Sequence, residues 1–211
     1  MAKYYLIRHA ESQANTEGIY QGQTYDTDLS LRGKKQAKSL ANYFRGKKLE
    51  KIFTSPLRRT MATAVAIQKV TGASVVVEPE IIETNHGAWE GKYKADIKSF
   101  WKEKYEDWQT KPATVAFPGG ESFLETQKRI ISWWGQQEVG VGEFAVVTHD
   151  NIICILVAHV LGLNLNNIWR FAVLPTAVTI LENDSLGSRL FLLNDSNHLG
   201  AKITDVSAHA L

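Results

Sequence analysis

Short apolar strands alternate with amphipathic helices along most of this chain, and this order restricts the folds available to it. The pattern predicts strands at residues 3–7, 51–54, 75–78 and 144–148, with helices between them and after the last. Two strands joined through a helix pair in parallel by a crossover connection. The sequence therefore predicts an α/β fold: a three-layer α/β/α sandwich with a mostly parallel central sheet.

The helices are predicted from apolar residues spaced three and four apart. This spacing indicates helices at residues 31–44, 93–108, 122–134 and 150–161. Another helix is expected to begin at Ser55-Pro56, with the hydroxyl as its cap and the proline in its first turn, and to end at Gly72. Two further strands are expected near the end of the chain, at residues 177–181 and 189–193.

Composition bounds the domain organisation and the partners. No linker, repeat or low-complexity stretch interrupts the 211 residues, so one domain spanning 1–211 is expected. The 24 Lys and Arg against 22 Asp and Glu are mixed along the chain, so neither nucleic acid nor a membrane surface is expected as a partner. A lone Cys154 and the lack of an apolar leader favour a cytoplasmic protein.

Ionisable side chains follow three of the predicted strands. Arg8 and His9 follow the first strand, Arg58 lies in the turn after the second, and His149 follows the strand that ends at Thr148. Ligands of open parallel sheets bind beyond the carboxyl ends of the strands. We therefore expect two guanidinium groups and two imidazoles to converge at one edge, where they would suit a single phosphoryl group.

These side chains suit phosphoryl transfer through a covalent intermediate. The neutral imidazole of His9 can attack phosphorus. Arg8 and Arg58 can bind the equatorial oxygens and neutralise charge in the transition state, and His149 can donate to the same phosphate. The leaving alkoxide needs a proton and the incoming water must lose one, and Glu83 is the best placed carboxylate for both transfers.

Each of these residues also has a plainer, structural interpretation. Histidines that only make structural hydrogen bonds are common, Arg58 could lie in a solvated helical turn, and Glu83 could bind a turn. Convergence of three strand ends on one reaction favours the functional interpretation. The histidines have no metal-binding spacing and no nucleotide-binding motif is present, so neither a metal nor a cofactor is expected.

The segment LIRHAESQAN, residues 6–15, resembles the signature of the histidine phosphatase superfamily, also called the phosphoglycerate mutase-like family. Further matches follow in the family's order, at residues 20–22, 28–30, 54–60, 83–91, 118–122 and 148–149. Asn194-Asp195 with His198-Leu199 resembles the end of the family's small-phosphatase branch. The resemblance covers nearly the whole chain and implies the family's fold.

The resemblance also implies roles for individual residues. His9 would be the phosphorylated nucleophile and Glu83 the proton donor and base. The phosphate pocket would be formed by Arg8, Asn15, Arg58 and His149, with Gln21 and Gly22 near its rim. Two residues depart from the family's usual glycines, Ala10 and Asp150. Asp150 is expected to cap the helix that follows it; facing the pocket instead, it would disfavour a second anionic group on the substrate and favour a hydroxylated or cationic one.

Phosphatases and mutases of this family share the phosphohistidine step. Mutases typically hold a second anionic group with an arginine directly after the acidic residue, but here Thr84 follows Glu83, and no arginine lies between Gly91 and Pro118. A phosphomonoester hydrolase of broad specificity, acting on small phosphorylated metabolites, is therefore expected, with a cofactor-dependent phosphoglycerate mutase as the alternative. A catalytically weak phospho-ligand or protein-binding module is the alternative of another class. A homodimer is compatible with the sequence, which locates no surface for it.

Overall fold

A mixed sheet forms the centre of the computed structural model, which describes residues 1–137 and 139–202. Within these residues the six strands lie in the order β3-β2-β4-β1-β5-β6. Their bounds are β1 (Ala2–Arg8), β2 (Lys51–Thr54), β3 (Ser74–Val77), β4 (Gly142–Thr148), β5 (Val178–Asp184) and β6 (Gly187–Asp195). Strands β1 to β4 pair in parallel, and β5 and β6 join antiparallel beside β1. The predicted α/β fold is confirmed.

Helices cover both faces of this sheet. They are α1 (Gln13–Glu17), α2 (Leu31–Phe44), α3 (Arg58–Thr71), α4 (Lys94–Phe100), α5 (Lys102–Thr110), α6 (Phe123–Trp134) and α7 (Asp150–Val160). The single helix predicted at residues 93–108 is wrong, because the backbone of Trp101 leaves the helical region (φ −130°, ψ 45°) and separates α4 from α5. The predicted domain 1–211 includes residues 138 and 203–211, which lie outside the described residues.

Strand alternation divides the core into the two layers beside the sheet. Tyr4 and Leu6 pack into one apolar cluster with residues of α6 and α7. Tyr5 and Ile7 point to the opposite face and pack with residues of α2 and α3. Because successive side chains of a strand point to opposite faces, the four consecutive aromatic and aliphatic residues 4–7 of β1 are all buried, between two helical layers. In the described part of the chain, no helix combines the length and apolar content needed to cross a bilayer.

The sheet register brings the ends of three strands to one edge. Arg8 of β1 pairs with Thr148 of β4, and Thr54 of β2 pairs with the neighbouring Val147. The residues that follow these ends therefore begin side by side. The chain also passes from β1 to β2 on the far side of β4 and later returns to β5 beside β1. Such a switch in strand order opens a crevice at the carboxyl ends of the strands.

The start of α3 differs from the prediction. The helix begins at Arg58 with Leu57 as its N-terminal boundary residue, and no side chain caps it. The prediction that Ser55 caps this helix is therefore wrong. The Ser55 hydroxyl instead lies 2.8 Å from Nε2 of His149, so the strand end that carries it contributes to the edge where the predicted site residues meet.

Candidate active site

A narrow cavity opens at the carboxyl edge of the sheet, between the ends of β1 and β4. Its lining residues are Arg8, His9, Asn15, Tyr20, Gln21, Gly22, Arg59, Glu83, His86, Trp108, Asp150 and Asn151. Six of the predicted site residues are thus brought together there: Arg8, His9, Asn15, Gln21, Gly22 and Glu83. Arg58 and His149 are the two predicted residues that do not line it, for different reasons.

His9 has a defined tautomer. Its Nδ1 lies 2.8 Å from the carbonyl oxygen of Ala10. A carbonyl oxygen can only accept, so Nδ1 carries the proton and, in the neutral ring, Nε2 carries the lone pair. The ring is 4% exposed, and the residue lines the cavity. Nε2 of His9 is therefore in the form that can attack a phosphorus atom.

Arg59, and not the predicted Arg58, is the arginine of α3 that lines the cavity. Arg59 is 1% exposed and donates to Asp26 Oδ1 at 2.9 Å and to the carbonyl of Gly22 at 2.8 Å. Arg58 points away, with its side chain 62% exposed and paired with Asp28 at 2.8 Å. One residue along a helix rotates the side-chain direction by about 100°, so the assignment of Arg58 to the phosphate pocket is wrong.

Two guanidinium groups of the cavity keep unpaired donors. Nε of Arg8 and Nε of Arg59 are buried and have no hydrogen-bond partner among the described residues. A buried N–H group without an acceptor costs about 1–3 kcal/mol, so native proteins seldom leave one unmatched. Both arginines line one cavity and come from separate elements of the fold. The arrangement fits an anion whose oxygens accept from both side chains.

His149 lies behind this surface, beside His9. The two rings meet edge to face with their centroids 5.3 Å apart. Nδ1 of His149 lies 3.4 Å from Nη2 of Arg59 and therefore accepts, so Nε2 carries the proton and donates to Ser55 Oγ at 2.8 Å. Burial, reinforced by Arg59, His9 and Arg8, holds the pKa of His149 well below its ordinary value. Because both of its ring nitrogens make hydrogen bonds, the neutral His149 side chain positions Arg59, Ser55 and the adjacent ring of His9.

Glu83 sits in the cavity wall on the loop after β3. Its side chain accepts from the backbone N–H of Thr84 at 2.8 Å, and the residue is 8% exposed. Burial raises the pKa of Glu83 to about 7, while the Thr84 amide and Arg59 oppose that rise and Asp150 adds to it. A carboxyl group with this pKa is present in both protonation states near neutral pH, as a group that first gives and then takes a proton requires.

Asn15 and Gln21 are oriented by one hydroxyl group. Ser12 Oγ lies 2.9 Å from Asn15 Oδ1 and 3.0 Å from Gln21 Oε1, and it also accepts from the backbone N–H of Asn15 at the start of α1. Asn15 Oδ1 also accepts from the backbone N–H of Ser12 at 3.0 Å, so the single hydroxyl proton of Ser12 can serve Gln21 Oε1, and both amides have their N–H groups available to an acceptor in the cavity. Both residues are buried, as a first layer around a bound phosphoryl group would be.

Asp150 faces the cavity, so the prediction that it caps the following helix is wrong. The N-terminal boundary residue of α7 is His149, and no side-chain hydrogen bond caps this helix. Asp150 is the first residue inside α7, and its Oδ2 lies 3.7 Å from Nη1 of Arg8. The position of the first helical residue thus decides where the Asp150 side chain points. One position inside the helix, a side chain no longer points back to the free N–H groups of the first turn.

Four further lining residues were not predicted as site residues. They are Tyr20, His86, Trp108 and Asn151. Asn151 Nδ2 lies 3.3 Å from His86 Nε2, and burial lowers the pKa of His86 to about 4, so this wall of the cavity is uncharged. Trp108 lies in a sequence segment with several aromatic residues, and its sequence pattern does not separate a cavity wall from an ordinary core position.

The comparisons with known proteins agree with this geometry. The chain matches the sequence profile of the histidine phosphatase superfamily (branch 1) over residues 4–196. Phosphoserine phosphatase 1 of Hydrogenobacter thermophilus is 34% identical over 208 residues, 95% of each chain. The adenosylcobalamin/alpha-ribazole phosphatase of Escherichia coli is 28% identical over 177 residues, 81% of this chain and 85% of that one. The structure of Bacillus stearothermophilus YhfR is similar with a TM-score of 0.86 and 26% identity, over 94% of this chain and 100% of that one.

The fold, the cavity and the relatives define a phosphatase of the α/β class, as predicted from the sequence. The chain belongs to the histidine phosphatase superfamily. Among residues 1–137 and 139–202, no group of three or more His, Cys, Asp or Glu side chains is arranged to hold a metal ion.

Proposed function

We propose that this phosphatase hydrolyses small phosphomonoesters through a phosphohistidine intermediate on His9. The observation that carries the proposal is the combination of an Nε2 lone pair on His9 with two unpaired guanidinium Nε–H groups in one cavity. The nucleophile and the donors for the phosphoryl oxygens are thus supplied together.

The first displacement forms the intermediate. Nε2 of His9 attacks phosphorus, the ester P–O bond breaks, and its electron pair leaves on the alcohol oxygen. The carboxyl group of Glu83 gives its proton to that oxygen, so a neutral alcohol departs. Arg8 and Arg59 bind the equatorial oxygens, whose charge is greatest in the loose transition state.

The second displacement restores the enzyme. Glu83, now a carboxylate, takes a proton from water while the water oxygen attacks phosphorus. The P–N bond breaks, its electron pair returns to Nε2, and inorganic phosphate leaves. Glu83 ends protonated and His9 neutral, so protons balance over one cycle. His149 and Ser55 hold the ring of His9 and the guanidinium of Arg59 in place throughout.

A small phosphorylated metabolite is the proposed partner, and phosphoserine is the first compound to test. The support for this choice is the 34% identity to a relative named phosphoserine phosphatase 1. We further propose a cytoplasmic location, as expected from the sequence, and a homodimer, with which the sequence is compatible. Cell fractionation and light scattering after gel filtration test these two points.

Trapping of the phosphoenzyme tests the chemistry. Wild type mixed with a phosphomonoester and quenched in alkali should carry one base-stable, acid-labile phosphoryl group, located by mass spectrometry on His9. His9→Ala should lose that group and about 10³-fold or more in kcat/KM, whereas His159→Ala, at an exposed histidine of α7, should lose neither. Full activity of His9→Ala would contradict the nucleophile assignment.

The same preparation separates the alternatives. A phosphoglycerate mutase would isomerise phosphoglycerate faster than it releases phosphate when primed with a bisphosphoglycerate. A phospho-ligand-binding module would bind phosphomonoesters without turnover of any of them. The proposed hydrolase should release phosphate from several esters and show isomerisation only as a minor activity.

A further inference from the structure

Asp150 places a second carboxylate in a cavity built for an anion. It is 5% exposed and lines the cavity together with His9 and Glu83. No step of the proposed reaction uses it. A negative charge at such a place weakens the binding of any phosphate, so its presence needs a compensating interaction with some other part of the ligand.

The contacts of Asp150 leave most of its acceptor capacity unfilled. Its carboxylate lies 3.7 Å from Nη1 of Arg8 and 3.9 Å from Sγ of Cys154. The distance to Arg8 exceeds the roughly 2.7–2.9 Å of a charge-assisted hydrogen bond, and the Cys154 thiol is only a weak donor. Nη1 of Arg8 is also committed elsewhere, because it donates to the carbonyl of Val173 at 2.7 Å. A carboxylate accepts about four hydrogen bonds, so Asp150 can still take a strong donor from a ligand.

The charges of the cavity favour a cationic donor. Arg8 and Arg59 are its guanidinium groups and Glu83 and Asp150 its carboxyl groups, while burial lowers the pKa of His86 to about 4 and His9 serves as the neutral nucleophile of the proposed mechanism. The two arginines serve the phosphoryl group in the proposed mechanism. A second anionic group of a substrate near Asp150 would therefore meet a carboxylate and no spare cation. An ammonium group there would gain both a hydrogen bond and charge neutralisation.

We propose that Asp150 is a specificity-determining residue, which accepts a hydrogen bond from an ammonium group next to the phosphoester and disfavours esters with a second anionic group at that place. The substrate class is then the aminoalkyl phosphomonoesters, of which the phosphorylated amino alcohols are the simplest members. This inference rests on the proposed phosphatase function and assigns the residue of the site that recognises the alcohol part of the ester.

Three esters of similar size form the test: phosphoethanolamine with an ammonium group, phosphoglycolate with a carboxylate, and propyl phosphate with neither. The measured quantity is kcat/KM for each, taken relative to propyl phosphate. Wild type should favour phosphoethanolamine over phosphoglycolate by about tenfold or more, as a charge-assisted hydrogen bond would provide. Asp150→Asn should reduce that ratio about tenfold or more. Asp107→Asn, the same charge change at an exposed position of α5, should leave the ratio within about twofold of wild type.

The outcomes separate the inference from the function on which it depends. A wild type that hydrolyses none of the three esters, nor an aryl phosphate, would overturn the phosphatase function and this inference with it. A wild type that hydrolyses propyl phosphate but does not favour phosphoethanolamine over phosphoglycolate would overturn the role of Asp150 alone. The same holds if the ratio is unchanged in Asp150→Asn. Should that variant fail to fold by circular dichroism, Asp150→Ser takes its place, with the same loss of preference expected and an unchanged ratio again overturning the role of Asp150.

Discussion

Arg59 donates to Asp26 across 2.9 Å, and this contact holds the buried guanidinium at the edge of the cavity. The same side chain reaches the carbonyl of Gly22 and the ring of His149, so one arginine ties α3 to the loop after α1 and to the end of β4. Burial lowers the pKa of Arg59, and Asp26 is foremost among the groups that oppose this change. Asp26 thus stabilises the positive charge of Arg59 that would bind a phosphate.

The two adjacent arginines of α3 should respond very differently to mutation. Arg59→Lys keeps a positive charge but loses the planar donor set, and we expect kcat/KM to fall about 10²-fold with weaker inhibition by inorganic phosphate. Arg58→Lys, at an exposed ion pair, should stay within about threefold of wild type. Steady-state kinetics of the two variants on an aryl phosphate gives the comparison, and equal losses would contradict the placement of Arg59.

This pair also shows what a sequence can and cannot predict here. The alternation of strands and helices was sufficient to predict that His9 and His149 lie at one edge of the sheet, whereas their close contact follows from the pairing of β1 with β4, which only the structure shows. The direction of a single side chain at a helix start depends on the first helical residue, and boundaries read from sequence shift by one or two positions. This shift accounts for the two incorrect predictions, Arg58 in the phosphate pocket and Asp150 as a helix cap.

The hydrolysis of alkyl phosphates should depend on the protonation of Glu83. Because burial raises its pKa to about 7, the proton needed by the leaving alkoxide is present below pH 7 and is lost as the pH rises through that value. We expect kcat for an alkyl phosphate to fall above pH 7. Phosphoenzyme formation from nitrophenyl phosphate, whose leaving group departs without a proton, should fall much less in rapid-quench measurements. Glu83→Gln should abolish this difference in pH dependence between the two substrates, and its persistence would exclude Glu83 as the donor.

Glu83 should also make the protein less stable at alkaline pH. Its pKa is 4.5 in an ordinary environment and about 7 in the folded protein. Between these values the unfolded chain releases the proton while the folded protein keeps it, so the free energy of unfolding declines as the pH rises. Above pH 7 the free energy of unfolding is lower by about 3 kcal/mol in total for this reason. Glu83→Gln should remove this loss, so the variant should gain more stability against denaturant at pH 8 than at pH 5. An equal gain at both pH values would contradict the raised pKa.

The contact between Ser55 and His149 predicts a loss of positioning in Ser55→Ala. Removal of the hydroxyl leaves the buried Nε2–H of His149 without its acceptor, which should cost about 1–3 kcal/mol of stability. We expect kcat/KM to fall about tenfold, and the ¹⁵N signals of the His149 ring to depart from the Nε2–H tautomer. Ser132→Ala, at an exposed serine of α6, is the control and should change neither quantity. An unaltered tautomer in an inactive Ser55→Ala variant would argue against positioning through this ring.

Glu90 joins the loop that carries Gln21 and Gly22 to the opposite wall of the cavity. Its Oε1 accepts from the backbone N–H of Gln23 at 3.0 Å and of His86 at 2.9 Å, and its Oε2 accepts from the backbone N–H and the hydroxyl of Thr24. A Cβ atom on Gly22 would collide with this carboxylate, so the loop closes on Glu90 only with glycine at that position. The Glu90 carboxylate thus accepts hydrogen bonds from both the loop and the wall.

Glu90→Gln is the sharpest test of this connection, because it keeps the shape and replaces one acceptor by a donor that faces backbone N–H groups. We expect faster hydrogen exchange at Gln23 and Thr24 and a rise in KM of about tenfold, with a smaller change in kcat, since the loop lines the cavity and takes no part in proton transfer. Glu103→Gln, at an exposed residue of α5, should leave both quantities unchanged. Unaltered exchange in Glu90→Gln would contradict this role of Glu90 and would mean that other contacts hold the loop, such as those of Arg59 with the Gly22 carbonyl and of Gln23 Nε2 with the Glu83 carbonyl.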